Sequence, residues 1–570
     1  MTGGHETLRL PDGKGVPFQP MTTKRILVFL PIVVIVFLLQ SYFWVPTYEE
    51  QTRGYSGRLR EYIDASIGDA ALLNPILSAD SASSQIENLV FEGLIDRDEN
   101  LRFRGRLAAS WDIYEEAFFY VNEQASVPGK GVLDARDAAE LIEKARTESS
   151  GGGSPLAATL ARIRKISVLP ARSYEEIREA PRAKGRPERE PVPVRVRAPE
   201  RIKLILSEVD PDLFDNLTTL LGTEYFSSFS GQSRIETPPS VSADARARYA
   251  ESLLPATEHN PVLVFHLRPG VKFHDGHVLD AEDVRFTYRA IMNPANLSPR
   301  IADYQPVKSV EAVDPLTVRV VYRELYSPAL GTWGIGILPE HLLNEDALGA
   351  EVVRRGEDPD RFSMRQSRFN RHPVGCGPFV FKRWESDQFI RLDRFPDYWE
   401  GPANYERYLF RVIPDPLTQE MEFYSGTVDS YGVQPHQVKR LKKDPRFQSF
   451  SGLSFGYTYI GYNMRREPFD DVRVRKALGM AIDVEKVIAY VLYGQGERIT
   501  GPFVKQTDYY NHDVEPPRYD PEGALDLLWE AGWRRNETGW LEKDGKRLRF
   551  TLITNSGNDI RKAILAVAQD

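Results

Sequence analysis

The chain has 570 residues, a formal net charge of −8, 41% hydrophobic and 27% charged residues. That length allows about two to four domains, and the acidic balance argues against a nucleic-acid partner. A single cysteine, Cys376, rules out an intrachain disulfide and any C-x-x-C metal or redox motif. H-E-x-x-H, G-x-S-x-G and P-loop signatures are all absent, so no catalytic or cofactor site is expected and the chain reads as a non-enzyme.

Residues 1–25, rich in Gly, Pro and Thr with no apolar period, are expected to form a disordered tail. Residues 26–45, ILVFLPIVVIVFLLQSYFWV, run for twenty residues without a charge. At about 1.5 Å per residue that run can cross a hydrocarbon core of about 30 Å. A cleaved signal peptide, the alternative, has an apolar region of about 7–15 residues and a small-residue cleavage site. No such site follows, so an uncleaved transmembrane anchor is expected, with Lys24-Arg25 holding the tail on the cytoplasmic side.

After a stalk, Leu59, Tyr62 and Ile63 predict a strand, Asn74-Pro75 a turn, and Ile86, Leu89, Val90 and Leu94 one helix face. Alternation from Val262 to Leu267 predicts a strand, with Pro269-Gly270 as its turn and Val271 to Phe273 as a short return. Asp275-Gly276 turns again, and Asp280 caps a helix whose Val284, Tyr288 and Ile291 share a face. Strands are further predicted at 307–312, 318–321, 379–384, 390–394 and 408–413, and a helix at 416–425. Tyr457 to Asn463 reads as a strand, Asp471 caps a helix carrying Val474, Leu478 and Ile482, and Pro521 opens another with Leu525 and Leu528 inward. Residues 548–570 predict one strand and one helix. His274, Asp275 and His277, with His266 nearby, form the only metal-like cluster, but the Asp-Gly turn already explains it and no metal is expected. Cys376, between two glycines, reads as a small buried turn residue.

Shifting the chain by 146 lays residues 118–145 without a gap over 264–291, matching Val132-Leu133-Asp134-Ala135 and Asp137 to Val278-Leu279-Asp280-Ala281 and Asp283. A Ser-Pro pair (Ser154-Pro155, Ser298-Pro299) and two strand-like pieces follow in each: Ile163 to Val168 and Ile202 to Leu206, then Val307 to Ala312 and Val318 to Val321. An internal duplication (118–206 and 264–321) is the expectation; chance likeness of two Asp-capped helices is the alternative. Residues 175–197, with four prolines and charges of both signs, read as a mobile, solvated loop.

The hairpin ending in FHDG (273–276) and followed by AEDVRFTYRAI (281–291) resembles the solute-binding proteins of peptide-type ABC importers, the dipeptide and oligopeptide receptors known as family 5. Other blocks fall in that family's order: LLNPILSADSASSQIENLVFEGLI (72–95), LAASW (107–111), PVGCGPFVFKRW (373–384), RFPDYWEG (394–401), NMRREPFDDVRVRKALGMAID (463–483) and YDPEGALDLLWEAGW (519–533). The resemblance implies an α/β, periplasmic-binding-protein-like fold (type II, large three-domain variety) of two lobes with a hinge. Domain I would be 58–91 and 369–452, an enlarged domain II 92–345, and 453–570 the start of a domain III that continues beyond a C-terminally incomplete chain. It also implies a main body outside the cytoplasm, binding a peptide or similar small solute and delivering it to an ABC permease with its ATPase. Ligand-binding residues would be Asp80 and Ser81 in the loop after the Asn-Pro turn, Tyr457, Tyr459 and Asn463 near a domain crossover, and Trp333 and Tyr431. A tethered sensor or scaffold that keeps the fold for partner docking is the alternative.

Overall fold

The computed structural model describes residues 30–37, 39–40, 58–99, 101–148, 153–179, 191–359, 362–452, 454, 456–507, 509–555 and 558–570. Residues 30–37 and 39–40 of the apolar run are helical and exposed; the rest of that run, the tail 1–25 and the stalk lie outside the described residues. Among the described residues no helix is long and apolar enough to cross a membrane. The chain divides into two compact units, one ending at Ser430 and one beginning at Tyr431. Residues 431–452, expected with the first domain, thus group with the second unit.

The elements of the first unit, in chain order, are β1 (Glu61–Ser66), α1 (Ser81–Val90), β2 (Ala108–Tyr120), α2 (Ala135–Glu148), α3 (Pro155–Arg162), β3 (Ile163–Leu169), β4 (Arg172–Glu179), β5 (Pro191–Ala198), β6 (Arg201–Leu206), α4 (Leu213–Leu221), β7 (Ile235–Glu236), β8 (Thr257–Leu267), α5 (Ala281–Met292), α6 (Ile301–Tyr304), β9 (Val307–Asp314), β10 (Thr317–Tyr322), β11 (Phe379–Glu385), β12 (Phe389–Arg394) and β13 (Arg407–Val412). A four-stranded sheet runs β1-β13-β12-β11. Its β1 lies parallel to β13, Ile63 opposite Leu409, and so ties residue 61 to residue 407. Parallel neighbours need a long crossover, and here the whole intervening lobe serves as one.

A six-stranded sheet, in the order β9-β10-β8-β2-β6-β3, forms that lobe. Its two longest strands, β2 and β8, pair antiparallel at the centre from Phe119 opposite Thr257 to Trp111 opposite Phe265. Alternation sends Leu263, Phe265 and Leu267 of β8, with Val318 and Val320 of β10, into one apolar core, and Ala117 and Phe119 of β2, with Ile202 and Leu204 of β6, into a second. Asp280 caps α5 with a full capping box, its side chain accepting from the helix while Asp283 accepts from the Asp280 amide. Asp283 also accepts from Glu340 N at 2.9 Å. Burial nonetheless pushes its carboxyl up to about 6. The short return expected at Val271 to Phe273 is reduced to a single bridge, Lys272 opposite Val278.

Residues 175–197 are not a loop throughout, which corrects the expectation of a mobile segment. β4 and β5 pair antiparallel from Arg172 opposite Ala198 to Glu179 opposite Pro191, and β7 adds a short third strand. Val192, Val194 and Val196 alternate inward onto the helix Ala243–Leu253. That period of two was masked in the sequence by the interleaved prolines and arginines. Residues 180–190, at the tip, lie outside the described residues.

In the second unit, α7 (Val472–Met480) and α8 (Pro521–Glu530) pack through Val474, Ala477, Ala524 and Leu528 over Trp533, with Asp471 and Asp520 as caps. The terminal helix α9 (Asp559–Gln569) is present. The strand expected at Tyr457 to Asn463 is not formed, nor is one at 548–555. A strand needs a neighbour for its backbone N–H and C=O groups, and among the described residues none pairs with either segment.

Candidate functional site

Asp80 fixes one end of the site's framework. Its side chain accepts from Ser83 N (2.8 Å) and Ser83 Oγ (2.7 Å), starting α1. Just past the other end of α1, residues 92–94 meet residues 333–337 backbone to backbone: Leu94 N donates to Trp333 O and Ile337 N to Glu92 O, both at 2.9 Å. This approach requires glycine at position 93, where a Cβ would stand 2.4 Å from Gly334 O. Gly375 meets α1 in the same way, its Cβ position lying 2.0 Å from Val90 O.

Between α1, α6 and residues 331–336 lies a half-open cavity of about 520 Å³, lined among others by Glu87, Asn88, Arg300, Asp303 and Thr332. Tyr304, fully buried, braces its wall by donating to Thr332 O at 2.6 Å. Glu92 is held by Arg106, Tyr398 and the Trp399 indole N–H. Glu92 and Arg106 also line the cavity; Glu87, Arg300 and Asp303 are less fully engaged. Glu87 is 5% exposed; Ser78 Oγ donates to its Oε2 at 2.6 Å, while its Oε1 has no hydrogen-bond partner among the described residues. Burial pushes its carboxyl up to about 7, against the lowering effect of the Ser78 hydroxyl and the Arg300 charge. The Arg300 Nε is buried without a partner, and neither the Arg300 guanidinium nor the Asp303 carboxylate makes an ion pair among the described residues. An open polar concavity lined by the guanidiniums of Arg106 and Arg300 and by several carboxyls suits a small charged or zwitterionic solute.

The residues expected at a ligand site fall elsewhere. Asp80 is the cap of α1, and Ser81 is exposed at its first turn; neither lines the cavity. Trp333, 1% exposed, donates to Tyr322 OH at 3.0 Å and packs on Phe265 and Tyr304, so it forms the core behind the cavity wall. In the second unit, Tyr431 OH donates to Gln437 (2.9 Å), and Asn463 Oδ1 accepts from Arg465 N (3.2 Å). Tyr457 and Tyr459 are exposed, ring centroids 5.4 Å apart. The histidines serve the fold: His274 bonds Gly377 O (3.0 Å) and burial takes it down to about 4, while His277 stacks on His341, which bonds Asp275 (2.7 Å). Sequence reasoning missed Glu87, Arg300 and Asp303. Only Glu87 carried a signal, a carboxylate on the helix face that also holds Ser83 and Val90.

The family described as bacterial extracellular solute-binding proteins, family 5 (middle) matches residues 246–570. The oligopeptide-binding protein AppA of Bacillus subtilis is 34% identical over 312 residues, 53% of this chain and 55% of its own length. The glutathione-binding protein GsiB of Pectobacterium atrosepticum is 29% identical over 277 residues, 48% of this chain and 51% of its own. The chain thus spans about half the length of the curated relatives it matches. Among solved structures, AppA of Bacillus subtilis in complex with a nonapeptide superimposes with a TM-score of 0.55 at 25% identity, over 89% of this chain and 71% of that one. NikZ of Campylobacter jejuni in complex with Ni(L-His) does so with a TM-score of 0.56 at 21% identity, over 90% and 71%, and shares the fold. With the match covering more than half of its residues, the chain belongs to the bacterial extracellular solute-binding proteins of family 5.

Proposed function

We propose that the chain is an extracytoplasmic receptor that binds a short peptide, or a similar small polar solute, in the cavity beside α1 and delivers it to an ABC permease with its ATPase. The observation that carries this is the Arg300 guanidinium and Asp303 carboxylate on one polar concavity, neither ion-paired among the described residues. The names of relatives that bind oligopeptides, glutathione and di- or tripeptides support the solute class. Hinge closure, as the family resemblance implies, would do the work; no bond is made or broken. The uncharged run 26–45 tethers the receptor to the cell membrane, a reading that rests on its length and composition. Resistance of the chain to alkaline extraction from membranes tests the tether.

Mass spectrometry of small molecules released on denaturing the purified chain tests the receptor. Recovery of peptides, together with a peptide-dependent rise in melting temperature, is the expected result. A chain that carries no solute and does not respond to a peptide library favours the second reading, a tethered sensor or scaffold. The extra half of the six-stranded sheet, with its own apolar core, is what favours that reading.

A further inference from the structure

Positive charge is denser between Lys439 and Arg446 than anywhere else in this acidic chain. Five of those eight residues are basic, Lys439, Arg440, Lys442, Lys443 and Arg446, against one acid, Asp444, while the whole chain carries a net charge of −8. Burial decides which way the run faces. The turn of 3-10 helix Pro435–Gln437 and the short helix Val438–Leu441 sink Gln437 and Leu441 to 6% and 4% exposure, so the side chains between and after them turn outward. Residues 439, 440, 442, 443 and 446 are all exposed. Arg446 pairs with Asp444 at 2.8 Å, which engages the only acid of the run; Lys439, Lys442 and Lys443 make no ion pair among the described residues.

Apolar groups flank the run. Phe450, four residues on, is 84% exposed, and Val433 before it is 42% exposed. Lysines beside an exposed ring make up a surface suited to the headgroup level of a bilayer, with the ammonium groups at the phosphates and the ring at the acyl boundary. Basic residues alone would suit a nucleic acid equally; the ring and the tether favour lipid. Covalent geometry brings the run to the membrane. The chain leaves the uncharged run 26–45 and enters the fold at Arg58, whose guanidinium is pinned to Asp429 at 2.9 and 3.0 Å. Asp429 also accepts from Ile63 N at 2.7 Å and donates its own N–H to Ile63 O at 2.8 Å. Asp429, where the tether joins the body, precedes Lys439 by ten residues. Residues 45–58 span at most about 45 Å, and residues 429–439 at most about 35 Å. Tethering raises the effective concentration of the run at the bilayer, so a weak electrostatic attraction is enough to hold it there.

We infer that the run from Lys439 to Arg446, with Phe450, is a docking surface for the anionic phospholipid headgroups of the bilayer in which the chain is anchored, and that it holds the second unit down on that bilayer. A basic cluster of this size close to a membrane anchor is attracted to anionic lipid. Solute binding plays no part in this contact; it rests on the tether of the receptor reading, and the two fail differently.

The test reconstitutes the full chain, through its uncharged run, into vesicles of phosphatidylcholine alone and of phosphatidylcholine with phosphatidylglycerol, both containing a lipid with a nitroxide on its headgroup. A fluorophore on Ser449→Cys reads the surface and one on Thr219→Cys, exposed on α4, reads the first unit; Cys376 is buried and stays unlabelled. The label at 449 should be quenched several-fold more in the vesicles with phosphatidylglycerol, and the label at 219 equally in both. High salt should remove the excess, because the screening length falls from ~10 Å at ~0.1 M to ~3 Å at ~1 M. Replacing all three lysines (Lys439→Gln, Lys442→Gln, Lys443→Gln) should remove it too. Arginine at the same three positions keeps the charge and should preserve the excess, which separates lost charge from lost folding. Phe450→Ser should weaken the quenching at 449 in the anionic vesicles. Equal quenching in the two lipids, an excess that survives salt or the three glutamines, or a Phe450→Ser chain that behaves as wild type overturns the inference. A chain that alkaline carbonate strips from phosphatidylcholine vesicles overturns the tether instead. The freed chain should then still bind phosphatidylglycerol vesicles, in a salt-sensitive way, and not phosphatidylcholine vesicles; failure of that binding overturns the docking surface as well.

Discussion

Lys203 and Arg319, 116 residues apart and at matching places on β6 and β10, ion-pair with opposite oxygens of one carboxylate. Lys203 Nζ lies 3.0 Å from Glu116 Oε2, and Arg319 Nη2 lies 3.1 Å from Glu116 Oε1. Glu116 sits two residues from the middle pair of the central ladder, Tyr114 opposite Val262, so a single side chain links the two halves of the sheet. The carboxylate is 13% exposed and the cations 24% and 22%. Pairs this shielded are worth more than surface pairs, and removing the shared partner strands Lys203 and leaves Arg319 with Glu311 alone. Glu116→Gln should therefore destabilise the first unit by about 2 kcal/mol. Glu311→Gln, whose half-exposed carboxylate also pairs with Arg319, should cost about 0.5 kcal/mol or less. Urea denaturation of both variants checks the ranking, and equal midpoints would contradict it.

Stability should fall with rising pH on account of Glu87. Its folded-state value of about 7 lies above the ordinary carboxyl value of 4.5. The native state therefore holds the proton more tightly than the unfolded chain. The contribution is full below about pH 4.5 and is lost as pH rises through about 7. The shift corresponds to roughly 2–3 kcal/mol across that window. Asp283, raised to about 6, pulls the same way in an overlapping range, so the difference between wild type and Glu87→Gln isolates Glu87. That difference should be small at pH 4.5 and should favour the glutamine variant by roughly 2 kcal/mol at pH 8. A difference independent of pH between these limits would mean that Glu87 stays ionised in the native state.

Elements whose residues alternate or cap without interruption were legible in the sequence. Ile202 to Leu206, Val318 to Val321 and the Asp280 cap all lie where the pattern places them, because local preference and burial agree there. Two kinds of residue were not legible. The valines of β5 alternate among prolines and arginines, and composition outweighed period. Tyr457 to Asn463 has strand-forming residues but no neighbour among the described residues to complete a ladder. The cavity was the least legible part. Arg300 and Asp303 read as ordinary surface charges, and only the tertiary fold sets them on a concavity shared with residues of α1.

Asp80 offers a direct contrast between expectation and geometry. The resemblance implies a ligand contact, whereas both its carboxylate oxygens are engaged by Ser83. Asp80→Ala should cost about 1 kcal/mol through loss of the cap and leave affinity for a co-purifying solute within about twofold, since less than 0.5 kcal/mol of binding is then at stake. Thermal denaturation and calorimetry on the same preparation read the two effects. A large affinity loss without loss of stability would restore Asp80 to the ligand site.

The extra half of the sheet should be separable. No residue belongs to both apolar cores: one gathers Leu263, Phe265, Val318 and Trp333, the other Ala117, Phe119, Ile202 and Leu217. Tyr114 stands opposite Val262 in the central ladder, a place where a two-residue Asn-Gly turn can close a hairpin. Replacing residues 115–261 by Asn-Gly removes Glu116 and so leaves Arg319 with Glu311 alone. That loss should destabilise the shortened chain by about 1–2 kcal/mol. It should still unfold in one cooperative transition and retain whatever solute the full chain carries, because Glu87, Arg300 and Asp303 all lie outside the excision. A shortened chain that folds but has lost its solute would place part of the binding site in the excised half. One that does not fold would show that the two cores form a single cooperative unit despite sharing no residue.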